Sequence, residues 1–131
     1  MVTFQLQTTR KEEFIDITAK VAEAVAKENV KSGLCCVYIP HTTAAVTINE
    51  NADPTVPKDI LMGLSHLKLE SLHFAHVEGN SPAHIKSSVI GCSTIIIVEN
   101  NCLQLGTWQG IFFCEFDGPR TRKVMVQCIG T

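Results

Sequence analysis

Between residues 93 and 130 four strand-length apolar segments follow one another with no helical pattern between them: STIIIVEN, CLQLG, WQGIFFCEF and RKVMVQCIG. This run constrains the fold more than any other feature. Parallel strands need crossover helices, so consecutive strands joined by short turns read as antiparallel. Upstream, VTFQLQT at 2–8 alternates like a half-buried strand, and LCCVYIP and AAVTINE read as two more. TTRKEEFIDITAKVAEAVAKENV reads as a helix, with Phe14, Ile17, Val21, Ala24 and Val25 on one face. Thr9 and Glu12 suit a capping box at its start, and Gly33 lies just past its end. A second helix is expected over 54–67 behind Asp53, and a third from Pro82 to Gly91, capped by Asn80 or Ser81. The order β-α-β-β-α-α-β-β-β-β predicts an α+β fold: one domain spanning 1–131, a largely antiparallel sheet core, and two to three helices.

A chain of 131 residues buries roughly two thirds of its unfolded surface. With 45% hydrophobic and 18% charged residues it reads as ordered. The net charge is −2 and no basic run exceeds RTRK, which argues against a nucleic-acid partner. The longest apolar run, TIIIV, is strand length, and the N-terminus has no signal-peptide pattern; the expectation is a soluble, cytoplasmic protein without a membrane partner. Six cysteines stand at 35, 36, 92, 102, 114 and 128 with no CxxC spacing, and adjacent Cys35 and Cys36 point to opposite strand faces. They read as reduced core or near-core thiols.

The densest polar stretch, PHTTAAVTINENADPTVP at 40–57, joins a strand to a helix, where a few turn residues would suffice. It offers His41, Thr42, Thr43, Glu50 and Asn51. EGNSPAHIKSS feeds a helix N-terminus, where free N–H groups and the helix dipole favour an anion, and adds Lys86. LGTWQGIFFCEFDGPRTRK places Trp108, Gln109, Glu115, Asp117 and Arg120 on or beside an apolar strand. Among the five histidines, His41, His76 and His84 lie at breaks in pattern; His66 and His73 read as surface residues.

HTTAAVTINENADPTV, HVEGNSPAHIKSSVIG and LGTWQGIFFCEFDGPRTRKV resemble the signature segments of the YjbQ family, also called uncharacterised protein family 0047 or the secondary thiamine-phosphate synthase group. The resemblance spans essentially the whole chain, departing at GNSPAHIK, where relatives often carry an acidic residue in place of Ser81 or Pro82. It implies a compact α+β fold, a homotrimer, and a pocket where His41, His76 and His84 converge on a metal or an anion. It also implies a modest ability to join a pyrimidine diphosphate to a thiazole phosphate. The catalytic candidates are Arg120, for the leaving diphosphate of that transferase, and Glu50 or Glu115, as the base of a runner-up hydrolase. Thr42, Thr43, Asn51, Lys86, Trp108, Gln109 and Arg120 are expected to hold a small phosphorylated metabolite. His41, His76 and His84 are expected to ligate a divalent metal, zinc first, with an open fourth position. A metal-free anion site on the same histidines is the rival. A metal-dependent hydrolase and a non-catalytic binding trimer are the alternative functions.

Overall fold

The computed structural model describes residues 1–131. Its strands are β1 (Val2–Gln7), β2 (Glu13–Asp16), β3 (Ser32–Tyr38), β4 (Ala44–Glu50), β5 (Ser93–Glu99), β6 (Cys102–Leu103), β7 (Gln109–Glu115) and β8 (Thr121–Gly130). The helices are α1 (Thr18–Glu28), α2 (Thr55–Ser65) and α3 (Ser81–Ile90), with a 3₁₀ turn at Leu69–Ser71. Every strand pairing is antiparallel. One sheet runs β1-β8-β3-β5-β6 and the second β2-β7-β4. The inner faces meet over Val37, Ile96, Val126, Val46 and Phe113, with Val21 and Val25 of α1 closing the same core. The far face of the small sheet carries Ala45, Phe112 and Cys114, packed with Ala83 of α3 and Leu61 and Leu64 of α2. Central β7 is therefore buried on both faces, which is why IFFC shows no alternation. No helix is long and apolar enough to cross a membrane.

Two boundaries differ from the sequence reading. Residues 13–16 form β2, not part of the helix expected behind Thr9. Phe14 pairs opposite Cys114 and packs on Phe112 and Phe116, at 6.0 and 6.5 Å between ring centroids. Covering an edge of β7 outweighs the helical periodicity of these residues. Glu13, not Glu12, accepts from the Thr9 and Arg10 N–H groups, and α1 begins only at Thr18. Gly33 does not end the helix. Asn29 does, with φ of 55°, while Gly33 sits in β3 opposite Gly130. There the backbones approach so closely that a Cβ on Gly33 would lie 2.0 Å from the Ile129 carbonyl oxygen. The turn read at ENN is present as a two-residue hairpin, with Asn100 and Asn101 at φ of 52° and 59° joining Glu99 to Cys102.

Candidate functional site

Three of the polar motifs meet at one end of the small sheet. The chain leaves β3 through Ile39 and Pro40 and turns through His41, Thr42 and Thr43 into β4. The pairing of Ala44 with Glu115 sets the end of β7 beside that turn. The Ser87 hydroxyl donates to the Ala44 carbonyl at 2.8 Å and anchors α3 across it. The result is a cleft of about 240 Å³ whose eight lining residues include no apolar one. Thr42 and Thr43 form one wall, His84 and Asn80 come from the start of α3, His76 and Glu78 from the preceding loop, and Asp117 and Arg120 from the turn after β7.

A buried ion pair holds the floor. Glu115 and Arg122 are 0% and 2% exposed. The guanidinium grips the carboxylate through both Nε and Nη2, and Nη2 also donates to the hydroxyl and carbonyl of Thr43 at 3.0 and 3.2 Å. Glu115 further accepts from the Thr8 hydroxyl at 2.7 Å and from the N–H groups of Phe116 and Asp117. A carboxylate so enclosed has no face left for a substrate proton, so Glu115 orders the turn and does not serve as a base. Arg122 was hidden in RTRK, which reads as a short basic run. Its phase with Val124, Val126 and Cys128 on the inward face of β8 was the available signal.

The histidines divide. His76 and His84 stand edge to face, with ring centroids 5.4 Å apart. His41 faces an adjoining hollow of about 370 Å³, shared with His84, Thr42, Ser87 and Cys92. Its Nε2 accepts from the Lys123 N–H at 2.9 Å, which places its proton on Nδ1. Burial, and then the Arg122 guanidinium, hold the His41 imidazole below its ordinary pKa. No three His, Cys, Asp or Glu side chains are grouped to hold a metal ion, and the one lone pair of neutral His41 is already engaged. To bind a metal through Nε2, His41 would have to give up its hydrogen bond from the Lys123 N–H.

A family model described as UPF0047 protein YjbQ-like matches residues 2–131. The chain belongs to the YjbQ/UPF0047 family. A UPF0047 protein of Methanocaldococcus jannaschii is 54% identical over 127 residues, 97% of this chain and 92% of that one. The Bacillus subtilis protein YugU is 50% identical over 129 residues, 98% of each. A crystal structure of a YjbQ/UPF0047 protein from Clostridium acetobutylicum matches with a TM-score of 0.95 and 53% identity, covering 98% of this chain and all of that one. A YjbQ-like protein of unknown function from Sulfolobus solfataricus gives 0.94 at 32% identity, covering 99% and 96%.

Within this YjbQ chain the remaining candidates fall elsewhere. Glu50 pairs with Gln109 at the opposite end of the β4–β7 ladder, roughly 20 Å along β4 from Ala44 at about 3.3 Å per residue. There the Asn51 amide donates to Asp16 at 3.0 Å, and Gln109 accepts from the Gly106 N–H at 2.8 Å. These are supports for the local backbone, and Trp108 beside them is exposed. Lys86 is 2% exposed and lines a separate pocket of about 250 Å³, where its Nζ meets Glu12 at 2.8 Å and Glu70 at 3.5 Å. Arg120 does reach the cleft, its Nε donating to the Asp117 carbonyl at 2.9 Å and its Nη2 to the Asp117 carboxylate at 3.3 Å. Asn80 occupies the N-cap position of α3 but makes no side-chain cap; its amide nitrogen donates to Asp117 at 2.9 Å.

Proposed function

We propose that the His76–His84–Arg120 cleft binds the phosphate of a small metabolite. We further propose that the protein is a transferase of the thiamine-phosphate-synthase type. The observation that carries this is the cleft itself: wholly polar, with His76, His84, Arg120 and the two Thr hydroxyls as donors beside the carboxylates of Glu78 and Asp117, and set at the first turn of a ten-residue helix. In the reaction the bond from the pyrimidine methylene carbon to its diphosphate breaks and the thiazole nitrogen bonds to that carbon. The leaving diphosphate gathers negative charge. Arg120 and the two imidazoles are placed to stabilise that charge, and the Thr42 hydroxyl adds a donor. The family resemblance supplies the identity of the reactants; the geometry supports only the phosphate.

The test incubates the purified protein with both substrates and follows thiamine phosphate. Activity that Arg120→Ala and His84→Ala each lower at least tenfold, without a fall in thermal stability, supports the reading. Phosphate binding without turnover leaves a binding protein, and release of phosphate from a single substrate indicates a hydrolase.

We also propose a homotrimer. The outer face of the large sheet exposes Leu34 between Ile97 and Ile129, with Ile95 and Tyr38 adjoining. Met62, Leu67, Leu72, Phe74 and Val77, on α2 and the segment after it, are also exposed and are proposed as the second apolar surface. A closed ring joins two different surfaces on each copy, and this chain has two.

A further inference from the structure

Two of the cysteines face each other across the large sheet. Cys35 of β3 and Cys128 of β8 are register partners, and both belong to the inner core, 0% and 6% exposed. Residues directly opposite on paired strands share a face, so the two sulfurs lie on the same side. Each thiol shifts the acidity of the other, as adjoining sulfurs do. No other two cysteines are register partners. Cys36 lies opposite Gln127, Cys114 opposite Phe14 and Ala45, and Cys102 opposite Glu99.

The ladder sets the pair at a position a disulfide can bridge. The Thr131 N–H donates to the Ser32 carbonyl at 2.9 Å, so Ser32 and Thr131 are a hydrogen-bonded pair. Pairs alternate along an antiparallel ladder. Cys35 and Cys128, three steps on, are therefore of the non-hydrogen-bonded kind, with Cα atoms about 4.5 Å apart. A disulfide accepts Cα separations of about 4.4–6.8 Å but needs Cβ atoms about 3.8 Å apart, closer than most strand pairs hold them. The next pair on the same face draws the strands in. Gly33 and Gly130 carry no side chains, and a Cβ on Gly33 would lie 2.7 Å from the Gly130 Cα.

We propose that Cys35 and Cys128 are a peroxide-oxidisable pair that closes to a cross-strand disulfide within the folded protein. Burial raises both thiols and keeps them protonated, so the pair rests reduced. Cys128 reacts first: it is the more exposed of the two and lies beyond Val126, where the ladder with β1 stops. Its sulfur attacks one oxygen of hydrogen peroxide and the O–O bond breaks. The departing hydroxide takes the thiol proton, leaving water and a sulfenic acid. The Cys35 sulfur then attacks the Cys128 sulfur. The S–S bond forms, the S–O bond breaks, and hydroxide leaves as water with the Cys35 proton. Two thiols lose two electrons, and one peroxide becomes two waters. The bridge ties β8, the strand that carries Arg122, to β3 across a loop of about ninety residues, a length at which cross-linking restricts the unfolded chain strongly.

Reduced protein has its exposed thiols capped in the native state, is treated with hydrogen peroxide, alkylated in urea and digested with trypsin without reductant. The expected product joins segment 32–58 to segment 124–131. Cys36→Ser should keep that link, since Cys36 occupies the other sheet face, and Cys128→Ala should lose it. Oxidised protein should melt at least about 5 °C above reduced protein, and dithiothreitol should return it to the lower value. A link that Cys36→Ser abolishes, a link that forms only in urea, no link at all, or a melting temperature that does not rise on oxidation overturns the proposal.

Discussion

At the scale of single residues, Glu115 and Arg122 show how charge inside a core can serve a surface. Their pairing orients Thr43 and the Asp117 turn, two walls of the cleft. Glu115→Gln leaves a buried guanidinium without its counter-ion and should cost about 3–5 kcal/mol in urea unfolding, because a broken buried pair strands a charge. His41 gives a pH signature. Its neutral form is the one that accepts the Lys123 N–H, and its folded pKa lies below the ordinary value of about 6.5. Between the folded and unfolded pKa values the unfolded chain binds the extra proton. The His41 contribution is thus fully present above about pH 6.5 and is lost as pH falls through the depressed folded value. Thermal melts from pH 8 to 5 should show a decline below pH 6.5 that is shallower in His41→Gln; parallel curves would remove the effect. Among the thiols, Cys92 and Cys102 are exposed, whereas burial pushes the Cys35 thiol up to about 12. Native titration should find those two reacting first, and denatured protein should give six. The placement of His76 beside His84 was legible from motif position. The diversion of His41 to Lys123 was not, since it depends on a backbone N–H that spacing does not register.

At the scale of elements, the antiparallel run from residue 93 onward, α1, α2, α3 and the Asn100–Asn101 hairpin could all be read from period and turn chemistry. What escaped were features decided by distant partners. Phe14 fits a helical stripe and a strand equally well, and only the open edge of β7 selects the strand. Gly33 has the look of a helix stop, and only Gly130 across the ladder reveals its role. The candidate site was half legible for the same reason: Glu50 and Asn51 lie within ten residues of His41 in sequence, yet extended β4 carries them to its far end. Gly33→Ala tests the close approach. The added methyl meets backbone, which cannot rotate away, so β3 and β8 must part at that end at a cost of about 1–3 kcal/mol. A melting temperature equal to wild type would show that the strands give way freely.

At the scale of the whole molecule, two features remain unmatched within one chain: the apolar surfaces and the polar cleft. Light scattering at micromolar concentration should give three times 14.4 kDa. Ile97→Asp, on the outer sheet face beside Leu34, should dissociate the assembly without unfolding the protomer; an unchanged mass would move the interface elsewhere. The cleft is the central claim, and one titration tests it most directly. Inorganic phosphate is titrated into metal-free wild-type protein, His84→Ala and His66→Ala, each held in EDTA. The account predicts saturable binding to wild type and to His66→Ala, and a loss of at least tenfold in His84→Ala. Binding that appears in wild type only after zinc is restored, or that His84→Ala leaves intact, would contradict it.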